Sequence, residues 1–211
     1  GKLSLNKIRK FMRYLIFAVV FGVVLSSTAW TEESVYEPVL EMKHPADNKW
    51  SKEKEELGKM LYFDPRLSGS NWISCATCHN PGLGWGDGLP RTIGDGQKEL
   101  GRHAPTVINS GYFELQMWDG RKKSLEDQAK GPIGAAAEMN QDYNDLLKEL
   151  KALPGYVKQF TSVFGENSLT IDNIAKAIAT FERSVVSKNS PYDKYWAGNK
   201  SAMSTSAVNG M

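Results

Sequence analysis

The run Ser74-Cys75-Ala76-Thr77-Cys78-His79 constrains this chain more than any other. Two cysteines three apart, followed at once by a histidine, form the attachment pattern of a c-type haem. A helical turn presents both thiols to one porphyrin edge, where each closes a thioether bond to a vinyl group. The next residue, His79, then lies beneath the ring with its imidazole in reach of the iron. Cys75 and Cys78 are the only cysteines. The competing readings are a disulfide between them, a redox-active Cys-x-x-Cys and half of a zinc site. A thioredoxin-like motif wants a βαβ context, which this sequence lacks. A structural zinc site wants four ligands, and only His44 and His103 remain to help. The pattern therefore favours one covalent haem c, held by Cys75 and Cys78 with His79 on the iron.

Charge is unevenly distributed. Five of the 26 basic residues (Lys2, Lys7, Arg9, Lys10 and Arg13) precede Trp30, and none of the 24 acidic residues does. The remainder carries an acidic excess of about three charges, which gives no footing for nucleic-acid binding. Residues 1–29 have the form of a secretory signal: a basic start, an apolar run over 14–25, and the small residues Ser26-Ser27-Thr28-Ala29. The apolar run is shorter than the roughly 20 residues of a spanning helix, but counted on to Trp30 it reaches the lower limit of about 17. A cleaved signal and a retained membrane anchor both stay open. Either one exports the body to the periplasm, and any membrane contact is through this segment alone.

Residues 30–50 read as a polar, extended arm with Pro38 and Pro45; His44 within it reads as a surface histidine. The pattern predicts a helix over 51–61, capped by Ser51, with Leu57, Met60 and Leu61 inward. From Asn80 to Gly101 the chain is rich in glycine, with Gly82, Gly84, Gly86, Gly88, Gly94 and Gly96. A stretch this long without regular structure is usually functional, and wrapping a haem is one such task. Ser124 begins a helix that Lys130-Gly131-Pro132 is expected to end. Further helices are expected over 141–150 and 155–164, and the longest from 171 to about 187, capped by Thr170. Pro191 is expected to open an extended tail. No strand-like alternation persists, so the fold is mainly α.

Beyond the haem motif, several short runs fall in a distinctive order: Leu57-Gly58-Lys59-Met60-Leu61-Tyr62-Phe63-Asp64-Pro65-Arg66-Leu67-Ser68, Arg102 with Pro105-Thr106, Trp118-Asp119-Gly120-Arg121, Gln128-Ala129-Lys130-Gly131-Pro132-Ile133, Glu138-Met139, and Ala177-Ile178-Ala179-Thr180-Phe181-Glu182-Arg183. Together they resemble the bacterial dihaem cytochrome c peroxidase family, including the methylamine-utilisation dihaem enzymes. The resemblance implies a cytochrome c-like haem domain with long haem-wrapping loops over 51–190. It covers only the N-terminal, peroxidatic half of such enzymes, and residues 191–211 lead toward a second haem domain.

The resemblance also implies roles. His79 would be the proximal ligand and Glu138 the distal acid–base group. Gln128 would hydrogen-bond hydrogen peroxide, Pro132 would line the distal pocket, and Trp118 would lie between two haems as an electron-transfer candidate. Each has a plain alternative: a solvated Glu138, a surface Gln128, a core Trp118, and a structural ion pair between Asp119 and Arg121. Asp95 stands where many family members carry an iron-capping histidine, which implies an open ferric site. His103 stands where an asparagine contributes to an inter-domain calcium site, which leaves calcium doubtful. Electrons would come from a donor cytochrome or cupredoxin, with a second haem subunit or a homodimer supplying the missing face. The alternative function is a single-haem electron carrier in which Met139 or Met117 closes the sixth iron position.

Overall fold

The computed structural model describes Pro38 and residues 41–211. The expected signal or anchor over 1–29 lies outside the described residues, as does most of the arm before residue 41. Among the described residues no helix is long and apolar enough to cross a membrane.

Two helices of twelve residues cross at the centre. α1 (Lys52–Phe63) begins where the Ser51 hydroxyl accepts the Lys54 backbone N–H, with Glu53 and Glu55 favourably placed in the first turn. α6 (Ile171–Glu182) begins in the same way, with Thr170 accepting from the Asn173 N–H. They pack with almost no gap, and Gly58 is the reason. A Cβ built there would lie 1.9 Å from the Ala177 carbonyl oxygen, so only glycine lets the two backbones approach this closely. The crossing buries Leu57, Leu61, Tyr62, Ile174, Ala177 and Ile178. Each large apolar side chain so buried contributes about 1.5–3 kcal/mol. Met60, expected inward, is exposed, because α6 lies across the face that carries Leu57, Gly58, Leu61 and Tyr62.

α6 also ends earlier than the periodicity predicts. At Arg183 the chain tightens, with Ser184 N–H donating to Phe181 O and Val185 N–H to Glu182 O. The Val185 carbonyl then accepts from the Asn109 N–H, which draws the segment off the helix axis. The single turn α2 (Cys75–Cys78) carries the haem motif, and α3 (Leu125–Gly134) packs on α6. Contrary to expectation, α3 continues through Pro132. The proline removes one backbone donor, but Ile133 beyond it is buried in the core, and that burial carries the helix on to Gly134. α4 (Tyr143–Lys151) and α5 (Pro154–Phe164) close the base with Leu146, Leu150 and Phe160.

Pro191 starts a helix rather than an extended tail. Ser190 and Asp193 form a reciprocal capping box and Pro191 occupies the first helical position, giving α7 (Pro191–Trp196). The short α8 (Thr205–Asn209) follows. Among the described residues, extended pairing is confined to three isolated bridges, Asn80–Gly86, Ile93–Glu99 and Gln116–Lys122. Each pins one of the long loops. The fold is mainly α. The arm's last residues are not merely solvated. Asn48 is buried, with its amide donating to Glu126 Oε1 at 2.7 Å and to the Lys176 carbonyl at 3.0 Å.

Candidate functional site

A cavity of about 530 Å³ opens beside α2, within the size range of cofactor sites. Its lining draws together residues scattered over more than sixty positions: Cys75, Cys78 and His79 on one side, and Gln128, Pro132 and Glu138 from α3 and the segment after it. Trp118 and His103 stand at its rim, and Ile178 and Glu182 of α6 complete it.

The His79 ring is oriented by its Nδ1, which lies 2.9 Å from the Pro105 carbonyl oxygen. A carbonyl can only accept, so Nδ1 holds the proton and Nε2 keeps its lone pair, the arrangement that an iron-ligating imidazole needs. Burial lowers the His79 pKa, against the opposing pull of the Pro105 and Trp85 backbones, which keeps the ring neutral at pH 7. Tyr62 supports the same residue from below: its buried hydroxyl donates to the His79 carbonyl at 3.0 Å. Thr106 donates to the Gly84 carbonyl, and Val107 N–H to the Trp85 carbonyl, lacing the glycine-rich loop against the strap that carries Pro105.

Both thiols are free. Burial, with Glu182 adding to it, pushes Cys75 up to about 12; burial, Asp87 and Glu138 push Cys78 up to about 11. Reactive redox cysteines have lowered pKa values, so a thioredoxin-like role is disfavoured. Among the described residues no group of three or more His, Cys, Asp or Glu side chains converges as a metal cage, which disfavours zinc at Cys75 and Cys78. A large cavity, two protonated thiols on one helical turn and an imidazole with its lone pair free together fit a c-type haem.

The opposite wall is clasped from two sides. Gly69 N–H donates to the Met139 carbonyl at 2.8 Å, and Asp95 N–H donates to the Glu138 carbonyl at 2.7 Å. Asp95 is buried and accepts from the Ser70 hydroxyl, so its carboxylate faces Ser70 and is not part of the cavity lining. The clasp fixes the backbone of Glu138, which is half-buried. Burial raises its carboxyl pKa, against the lowering influence of Arg121. Gln128 is half-buried, with Nε2 3.8 Å from the Met117 sulfur. Met117 and Met139 also line the cavity.

Trp118 is 56% exposed, which excludes a core role. Its Nε1 donates to the His103 carbonyl at 3.1 Å and its ring lies 4.9 Å from that of His103. Asp119 and Arg121 do form an ion pair, at 2.7 Å, but an exposed one that adds little stability. His44 is half-buried, and its Nδ1 has no hydrogen-bond partner among the described residues.

The sequence pattern of the family described as "Di-haem cytochrome c peroxidase" matches residues 52–201, well over half of the chain. This protein belongs to that family. It is 46% identical over 168 residues to the methylamine utilization protein MauG of Methylorubrum extorquens, covering 79% of this chain and 48% of that protein. It is 40% identical over 163 residues to the cytochrome c551 peroxidase of Pseudomonas aeruginosa, covering 76% and 47%. The crystal structure of a MauG-like protein associated with microbial copper homeostasis superposes with a TM-score of 0.74 at 30% identity, over 86% of this chain and 53% of that one. The chain thus spans about half the length of the relatives it matches. Haem c is the family's cofactor, in agreement with the donor set found here.

Nothing in the sequence marks Tyr62 beneath His79, Ser110, or Glu182 in the cavity wall. Tyr62 and Glu182 stand inside runs that carried the resemblance, but nothing in their spacing signals that one props the haem helix and the other faces the pocket.

Proposed function

We propose that residues 51–190 form a peroxidatic domain holding one covalent haem through Cys75 and Cys78, with His79 as the proximal ligand, and that it reduces hydrogen peroxide. The observation that carries this reading is the meeting of Cys75, Cys78, His79, Gln128, Pro132 and Glu138 around one cavity. The haem would supply the site that accepts an oxygen atom of peroxide and the electrons that cleave the O–O bond. The rest is done by the chain. Glu138 takes a proton from hydrogen peroxide and returns it to the departing oxygen, which leaves as water. Its raised pKa brings it closer to the pH at which one carboxyl group can both accept and donate. Gln128 holds the peroxide by a hydrogen bond, and Pro132 keeps a polar donor off the same wall. The net reaction consumes two electrons and two protons for each peroxide and yields two waters.

The electrons enter from a donor cytochrome or cupredoxin, directly or through a second haem domain, with the exposed Trp118 at the cavity rim as the point of entry. The site lies on the exported, periplasmic side, and residues 1–29 serve as a cleaved signal or an anchor. A second reading, a single-haem electron carrier, rests on Met117 and Met139 lining the same cavity.

Steady-state peroxide reduction with a reduced cytochrome donor separates the two. Glu138→Gln is expected to lower the rate by about 10²–10⁴-fold with the haem still bound. An unchanged rate removes Glu138 from the mechanism, and no turnover in the wild type leaves the electron carrier.

A further inference from the structure

Of the acids in the cavity wall that have no part in this chemistry, Glu182 is the buried one. Glu182, the last residue of α6, is 7% exposed and lines the cavity, and its Oε2 is buried with no hydrogen-bond partner among the described residues. Ser110 shares all three properties through its Oγ. The two belong to one corner of the pocket. The turn Ser110–Tyr112 packs on the end of α6, with Asn109 N–H donating to the Val185 carbonyl, and a Cβ at Gly111 would sit 3.0 Å from Arg183 Cγ.

The groups facing Glu182 leave it unpaired. Arg183 is the adjacent cation, but its guanidinium is bound in fork geometry to Glu126, at 2.6 and 3.0 Å. Glu126 itself repels a second carboxylate. From α2 comes Cys75 and from α1 comes Tyr62, both uncharged at neutral pH. A buried carboxylate with neither cation nor donor is costly, and the group relieves that cost by holding a proton. Burial, with Glu126 contributing and Arg183 opposing, pushes its pKa up to about 8.

We infer that Glu182 is the redox-linked proton site of this cavity, the carboxylate that binds a proton from solvent when an external one-electron donor reduces the haem pocket. The electron adds one negative charge inside a low-dielectric wall, and Glu182 is a buried carboxyl in that wall whose Oε2 has no partner among the described residues. One electron and one proton enter together, and both leave on reoxidation. The inference rests only on the part of the proposed function that puts a haem in this cavity, and does not depend on Glu138.

The test is the reduction potential of the purified haem protein as a function of pH, wild type against Glu182→Gln. Wild type is expected to hold a constant potential in mildly acidic solution. Its potential then falls as the pH rises through about 8, by at most about 59 mV for each tenfold drop in proton activity. Glu182→Gln is expected to give a flat line across the same range. A flat wild type, or an equal slope in both proteins, overturns the assignment. Redox-difference infrared spectroscopy of the wild type needs no variant. At pH 8 a carboxylic-acid carbonyl band should appear on reduction, and its absence also overturns the assignment. A chain that keeps no haem after denaturation defeats the covalent-haem reading and this inference together, and so is distinguished from a failure of Glu182 alone.

Discussion

At the scale of single residues, partners decide roles. Glu126 shows this outside the cavity. Burial alone would raise its pKa, but the fork from Arg183 and the Asn48 amide bring it down to about 2. A carboxyl whose folded pKa lies below its unfolded value stabilises the fold above the unfolded pKa, near 4.5, and loses that contribution as the pH falls toward 2. Glu126→Gln leaves the Arg183 guanidinium, 6% exposed, without its counter-charge. The expected cost is about 3 kcal/mol at neutral pH, read from urea unfolding. The variant should also lose part of the wild type's destabilisation between pH 4.5 and 2. Glu138 and Glu182 illustrate the opposite case, carboxyls with no cation bound among the described residues, whose pKa values burial raises. By spacing and composition all three are glutamates on or beside helices, and only the family resemblance singles out Glu138. Cys75, Cys78 and His79 were legible because covalent attachment fixes their spacing within one turn. Glu182 was not, because its role depends on where Arg183 points.

At the scale of elements, the close crossing of α1 and α6 positions the site. It places Tyr62 under the His79 carbonyl and leaves Glu182 at the cavity wall. Gly58→Ala drives a methyl group to within 1.9 Å of the Ala177 oxygen unless the helices separate. The expected loss is about 1–3 kcal/mol, measured by thermal or denaturant unfolding of the haem-loaded protein, and a wild-type midpoint would show that the crossing is not tight. Both helices were legible from capping residues and apolar period. Their boundaries were less so. Pro132 reads as a stop, yet Ile133 is buried beyond it, and Pro191 reads as a break where the Ser190–Asp193 box makes it a start. Helix ends follow local hydrogen bonds and burial that a hydrophobic pattern does not carry.

At the scale of the whole molecule, residues 41–211 belong to one compact unit, with a single hydrophobic core and the cavity beside it. The loops that wrap the cavity have no periodicity, so their course could be anticipated only as loop. Three isolated bridges and the clasp of Gly69 and Asp95 on residues 138–139 give them form. Asp95 accepts from Ser70 and is not among the cavity-lining residues, so under the proposed function it would not supply a sixth ligand to the haem. The measurement that tests the account most directly is the optical and electron paramagnetic resonance spectrum of the ferric protein, before and after one equivalent of hydrogen peroxide. A peroxidatic site is expected to show a high-spin ferric haem that peroxide converts to an oxidised species, with the conversion greatly slowed in Glu138→Gln. A low-spin, six-coordinate haem that ignores peroxide would contradict it.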